Sequence, residues 1–342
     1  MSPERAKSAQ EITTVAALET QRSVFLPWRH QGAFIPRIMS DPYPASVDLA
    51  DPPPVEPAAP LPPVPAPATL RRRVLRGAIL LFPGATARVL ARRYLRTEAA
   101  IDRTRLAATP GVTLTQLDDG AALLHYPAKA PDRPHPRILL AHGHDGHPRQ
   151  FARVLQSLRA KGAAVDLLVL PGHRDPAPEV CGVNRIFKAM QTALDSFGPY
   201  DAAATHCVTG NALLQSLDSG RTVGRVALVS AALDLPYLIR TSGRLYGLTG
   251  RALDRFVAHV ARMSAPCPLE IPWREMASRR SEPVMIVHAA GDWAAPVENA
   301  ETLASVWPGA DLRVYDRGDH NTILSVTPAI ATLAQFLTAT PL

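Results

Sequence analysis

Cysteine is scarce in this 342-residue chain. Cys181, Cys207 and Cys267 stand at irregular spacing with no CxxC pair, which excludes a disulfide framework and the usual zinc-ribbon spacing. An odd, sparse set of thiols suits a reducing compartment, and a cytoplasmic location is expected. Long hydrophobic runs are missing too. No window approaches about 18 consecutive apolar residues, and the best candidate, residues 77–81, is stopped by Pro83 and Gly84. The first twenty residues mix Glu4, Arg5, Lys7 and Glu11 with few apolar side chains, so neither a secretory core nor an acid-poor transit peptide is visible.

Proline and arginine, by contrast, are concentrated. Residues 42–67 carry Pro52-Pro53-Pro54, Pro57, Pro60, Pro62-Pro63, Pro65 and Pro67, a composition that buries too little to fold. Residues 1–70 are therefore expected to be a disordered or polyproline-like arm, either a stiff spacer or a PxxP ligand for an SH3-type protein partner. The formal charge of +7 belongs to residues 71–105, where ten arginines face only Glu98 and Asp102. Val74, Leu75, Ile79, Leu80, Leu90 and Leu95 share helix faces there with arginines opposite, predicting a pair of basic amphipathic helices over residues 70–96, broken near Pro83. Such a helix packs on its own domain with a solvated outer face, or lies on a membrane surface through residues 71–96. No nucleic-acid partner is expected.

Periodicity then changes. Residues 111–117 and 121–126, joined by Asp118-Asp119-Gly120, read as a β-hairpin. Downstream, short continuous apolar runs (137–141, 164–170, 201–206, 225–230, 283–287 and 311–315) alternate with helical segments. Runs buried on both faces and separated by helices predict a mostly parallel sheet with helices on both faces, an α/β domain over residues 106–342. Residues 233–280 interrupt it with proline-punctuated helical sequence, a small helical cap. Tyr237, Leu238, Leu245, Tyr246 and Leu248 either roof a pocket or pack the core.

Cys207 lies in Ala204-Thr205-His206-Cys207-Val208-Thr209-Gly210, between a strand run and a helix run. Leu139-Leu140-Ala141-His142-Gly143-His144-Asp145-Gly146 and Leu170-Pro171-Gly172-His173 each follow a strand, as do His288-Ala289-Ala290-Gly291-Asp292-Trp293-Ala294-Ala295-Pro296 and Gly318-Asp319-His320. Together these segments resemble the α/β-hydrolase family: its HGxxG loop, PGH turn, HGxxDxxVP signature and GxGH segment, in the order nucleophile, acid, histidine, over about residues 112–337. The family's GxSxG elbow is replaced by a cysteine, with Thr205 and Thr209 where glycines are usual. Glycine suits a tight, strained turn, so these threonines imply crowding, which Gly210 relieves one residue later.

What the resemblance implies is acyl transfer with Cys207 as thiolate nucleophile, His320 as general base and Asp292 fixing the imidazole. The backbone amides of Val208 and His144 would hold the oxyanion, and no cofactor is required. The expected substrate is a small-molecule ester, thioester or lactone. An acyltransferase would use the same acyl-enzyme, and a catalytically silent relative would act as a binding or scaffold protein. Duller roles also stand: an inert buried cysteine, a turn-capping Asp292, a surface His320–Asp319 pair. His142, His144, His147 and His173 sit on a glycine-rich loop and the PGH turn rather than at the i, i+4 helical spacing of a zinc site, so no metal is expected.

Overall fold

Strand and helix alternate along the chain as the apolar runs predict, in a computed structural model that describes residues 70–97, 101–132, 134–173 and 179–339. The proline-dense arm lies outside these residues, except for Leu70. Three helices come first: α1 (Leu70–Leu81), α2 (Pro83–Leu95) and α3 (Arg103–Ala107). Pro83 separates α1 from α2 and occupies the first turn of α2, where its missing N–H costs nothing.

The strands are β1 (Thr113–Gln116), β2 (Ala122–Tyr126), β3 (Arg137–Ala141), β4 (Ala164–Val169), β5 (Ala202–His206), β6 (Val226–Val229), β7 (Val284–Ala289) and β8 (Asp311–Tyr315). They form one sheet in the order β1-β2-β4-β3-β5-β6-β7-β8. The β1–β2 and β2–β4 pairs are antiparallel and the remainder parallel. The hairpin turns where predicted, through a short 3-10 segment with Asp119 and Gly120 at positive φ. The crossover helices are α4 (Ala152–Ala160), α5 (Val183–Phe197), α6 (Val208–Asp218) and α10 (Val297–Val306), and α11 (Thr327–Leu337) closes the chain after β8. They cover both faces, leaving two apolar layers with the sheet between them.

Strand β5 is made of Ala202, Ala203, Ala204, Thr205 and His206, all buried. Small side chains let helices close on both faces of the central strand, which drives its end toward the site. A single charge interrupts the buried strands. Asp166 on β4 accepts hydrogen bonds from Tyr200 Oη (2.8 Å), His125 Nδ1 (2.6 Å) and Arg137 (3.2 Å), so the carboxylate is desolvated but not unpaired.

Residues 233–280 fold as the expected insertion of helices, α7 (Leu235–Leu245), α8 (Gly250–Ser264) and α9 (Trp273–Ser278). Helix α2 packs along α8. Its inward stripe is Thr86, Ala87, Ala91 and Leu95, against Ala252, Leu253, Phe256 and Val260, with Arg88 and Arg92 turned to solvent. The upstream basic helix is thus a fourth wall of the cap. One expectation is corrected here. Tyr237 and Leu245 are exposed and do not pack the core, because the buried stripe of α7 is Leu235, Ile239, Ser242 and Gly243, and both residues fall off it. Leu248 is fully buried in the core, and Leu238 and Tyr246 pack against it.

Candidate active site

Cys207 occupies the single residue between β5 and α6, with φ 61° and ψ −129°. That is a costly conformation for a residue with a Cβ, of order 1–3 kcal/mol, and it persists only where its surroundings over-determine it. Here they do. The Cys207 N–H donates to the Val229 carbonyl (3.1 Å), and its own carbonyl accepts from Gly210 and Ala232 N–H (both 3.1 Å). Gly210 makes the last contact available: a Cβ there would stand 2.8 Å from the Ala231 Cβ. Thr209 is not a source of crowding. Its buried hydroxyl accepts from His206 N–H (3.2 Å) and lies 2.8 and 3.1 Å from the His206 and Ala141 carbonyls, to one of which it donates. The threonine therefore ties the elbow to the end of β3, while Gly210 provides the close approach.

The loop after β3 presses on the elbow. A Cβ on Gly143 would sit 2.8 Å from that of Cys207 and 3.1 Å from His206 Nδ1, so only glycine allows this approach. Asp145, at φ 54°, turns the loop, and His142 locks it: Nδ1 donates to the Gly143 carbonyl (2.9 Å) and Nε2 accepts from Leu170 N–H (3.2 Å). Among the described residues, no acceptor takes the backbone N–H of His144 or of Val208. Val208 is the first residue of α6, where amides and helix dipole favour negative charge.

Across the site, Asp292 and His320 meet. Nδ1 of His320 stands 3.0 and 2.9 Å from the two Asp292 oxygens, both residues being buried. The same carboxylate accepts from Ala294 and Ala295 N–H (2.9 and 2.8 Å). Burial opposes its ionisation, but His320 and these amides hold it below the usual carboxylate range. Asp319 does not pair with His320; it caps its own turn through Asn321 and Thr322. For His320, burial disfavours the imidazolium, yet the nearby Cys207 sulfur and the hydrogen-bonded Asp292 carboxylate raise it to about 10. Three residues from β5, β7 and β8 loops, separated widely in sequence, are thereby brought together.

No protein-family profile matches the chain, and no curated protein matches it by sequence. Solved structures do. Est1E from Butyrivibrio proteoclasticus superimposes with a TM-score of 0.53 at 18% identity, covering 67% of this chain and 100% of its own. A hydrolase from Pseudomonas aeruginosa PA01 gives 0.51 at 16%, covering 68% and 100%. An esterase, EaEST from Exiguobacterium antarcticum, gives 0.50 at 15%, covering 66% and 99%. The chain has the α/β-hydrolase fold.

Against that hydrolase fold, one contributor lies outside the motifs. Tyr94, on α2, is half-buried, stacks near the His144 ring (centroids 6.1 Å, 27°) and meets Phe256 edge-on (5.7 Å). Burial first, and then proximity to Cys207 and Tyr246 against a hydrogen bond with Ser242, push its hydroxyl well above the phenol range. The carbonyl of Leu95 accepts from His144 Nε2 (3.1 Å) and from Cys181 N–H (2.8 Å). Sequence reasoning missed this wall because α2 stands upstream of the first strand; the i, i+4, i+8 stripe of Ala87, Ala91 and Leu95 was the available signal.

The other histidines of the hydrolase fold are structural. His206 Nε2 donates to the His320 carbonyl (2.7 Å), His173 Nδ1 to Pro171 (3.1 Å), and His147 Nδ1 accepts from Arg149 N–H (3.0 Å) at a helix start. Among the described residues no three metal-ligating side chains stand together. Burial, then the charge of His320, lowers His206 to about 4; burial, then His144, lowers His173 to about 3; burial, then Arg149, lowers His147 to about 4. The unfolded chain protonates these rings near pH 6.5 and the folded chain only near 3–4. Stability is therefore intact above pH 6.5 and lost as pH falls toward 4, by up to about 1.4 kcal/mol per histidine per pH unit. Thermal melts at pH 7.5, 6.0 and 4.5 should show a progressively falling Tm, and a Tm unchanged across that range would contradict these buried neutral rings.

Proposed function

We propose that the protein is a cofactor-independent hydrolase that cleaves an ester, thioester or lactone through an acyl-enzyme on Cys207. The observation that carries the reading is the meeting of an elbow cysteine with a buried imidazole that is itself bound by a buried carboxylate. On this reading Cys207 attacks as the thiolate while His320 holds the proton.

In the first step the Cys207 sulfur attacks the carbonyl carbon, and the carbonyl π electrons move to oxygen. The oxyanion lies between the amides of Val208 and His144, each donor contributing about 3 kcal/mol of barrier lowering. As the tetrahedral intermediate collapses, the carbon–oxygen or carbon–sulfur bond to the leaving group breaks, and His320 gives its proton to the departing alkoxide or thiolate. Water then attacks the acyl-cysteine while His320 takes its proton. Sulfur leaves as thiolate and the carboxylic acid is released, losing its proton to solvent, which restores the ion pair. Asp292 keeps the imidazole's Nδ1 proton facing inward, so that Nε2 serves the reaction. The esterase and hydrolase names of the superimposed structures agree with this chemistry.

The thiols separate cleanly on this reading. Burial pushes Cys181 up to about 12, and burial raises Cys267 as well. Iodoacetamide at neutral pH should therefore alkylate Cys207 first, and Cys207→Ala should reduce p-nitrophenyl ester turnover by about 10³-fold or more. Equal alkylation of all three thiols, or an active Cys207→Ala enzyme, would remove Cys207 from the mechanism. Gly143→Ala tests the loop independently: its methyl meets the nucleophile, so kcat/KM should fall by about 10²-fold or more with the triad untouched. Wild-type kinetics in that variant would show that the loop takes no part.

A further inference from the structure

The exposed apolar side chains of the fold are unevenly placed. Of the large ones that face solvent, Val74, Leu80, Leu81, Phe82 and Val89 all belong to α1, the junction after it and the outer side of α2. Leu80, Leu81 and Phe82 are 81%, 74% and 65% exposed. Three consecutive large apolar residues at the tip of a helical hairpin are a contiguous patch, the kind that marks a binding surface.

Charge accompanies the patch. On a wheel of 100° per residue, the solvent arc of α1 runs Arg76, Leu80, Arg73, Gly77, Leu81, Val74, roughly 160° in which basic and apolar side chains interleave. Arg88 and Arg92 continue the basic surface along α2. Among the described residues, Arg73, Arg76, Arg88 and Arg92 make no ion pair, and no acidic side chain stands within α1 or α2. A protein partner burying Leu80 and Leu81 would have to desolvate these guanidinium groups or match each with a carboxylate. An anionic bilayer instead takes apolar tips into its acyl boundary while its phosphates meet a ring of arginines.

We propose that the α1–α2 hairpin docks the protein on anionic lipid membranes, with Leu80, Leu81 and Phe82 inserted at the headgroup boundary and Arg73, Arg76 and Arg88 on lipid phosphates. No helix among the described residues is long and apolar enough to cross a membrane, so the contact is peripheral. Because α2 also carries Tyr94 and Leu95 to His144 beside the candidate site, docking sets that end about one helix length, roughly 20 Å, from the lipid surface. The proposal does not depend on the hydrolase reading, since binding is measured without turnover.

The test is co-flotation of the full chain with phosphatidylcholine vesicles and with vesicles containing about 30% phosphatidylglycerol. The wild type should float with the anionic vesicles and not the zwitterionic ones, and about 0.5 M NaCl should release much of it. Leu80→Asp with Leu81→Asp, and separately Arg73→Glu with Arg76→Glu, should each weaken binding by at least about tenfold. Both pairs are exposed and remote from the site, so turnover of a soluble p-nitrophenyl ester should be unchanged. Absence of flotation with anionic vesicles, or variants that float like wild type, would overturn the proposal. So would loss of a dimer in Leu80→Asp/Leu81→Asp without vesicle binding, which would assign the patch to a second copy of the chain.

Discussion

At Cys207 the chain turns from a buried strand into a helix within one residue, and the backbone adopts a conformation that side chains ordinarily avoid. What makes this tolerable is its pinning by Val229, Gly210 and Ala232. The constraint propagates outward. The close approach of Ala231 requires glycine at position 210, and the loop folded over the sulfur requires glycine at position 143. Thr209 then spends its hydroxyl on the elbow and on the neighbouring strand end. If that one turn relaxed, Cys207 would lose the close approach of the Gly143 loop and of Ala231 beside Gly210.

Electrostatics complete what the backbone begins. A site that buries an imidazole, a carboxylate and a thiol against one another has to satisfy every charge internally. Asp292 does so with two backbone amides and His320, and His320 does so with Asp292 on one side and Cys207 on the other. Surrounding them, His142, His147, His173 and His206 are kept neutral by burial. The result is one imidazole whose pKa is raised by its partners among several lowered by burial.

Most of the scaffold was legible from local pattern. Continuous apolar runs separated by helical segments predict β3 to β8 within two residues at each end, because strands covered on both faces are apolar throughout. The hairpin was legible from Asp-Gly, and the positions of Cys207, Asp292 and His320 from motif order. What was not legible depended on packing across large sequence distances. Thr205 and Thr209 read as crowding because the hydroxyl bonds of Thr209 become visible only once β3 lies beside β5. Tyr94 and the Leu95 carbonyl read as part of an appended basic segment because their partners, His144, Cys181 and Phe256, lie about 50 to 160 residues downstream, well beyond any local sequence window. Tyr237 and Leu245 do not pack the core for the converse reason: an apolar residue within a helix need not lie on its buried stripe.

The most direct measurement of the central claim is mass spectrometry of the intact protein and its peptides after brief exposure to a slowly hydrolysed ester or a β-lactone. The account expects one acyl group, carried by the peptide containing Cys207, formed more slowly in His320→Gln and absent in Cys207→Ala. An acyl group on Cys181 or Cys267, or sustained turnover in Cys207→Ala with no adduct at all, would contradict it.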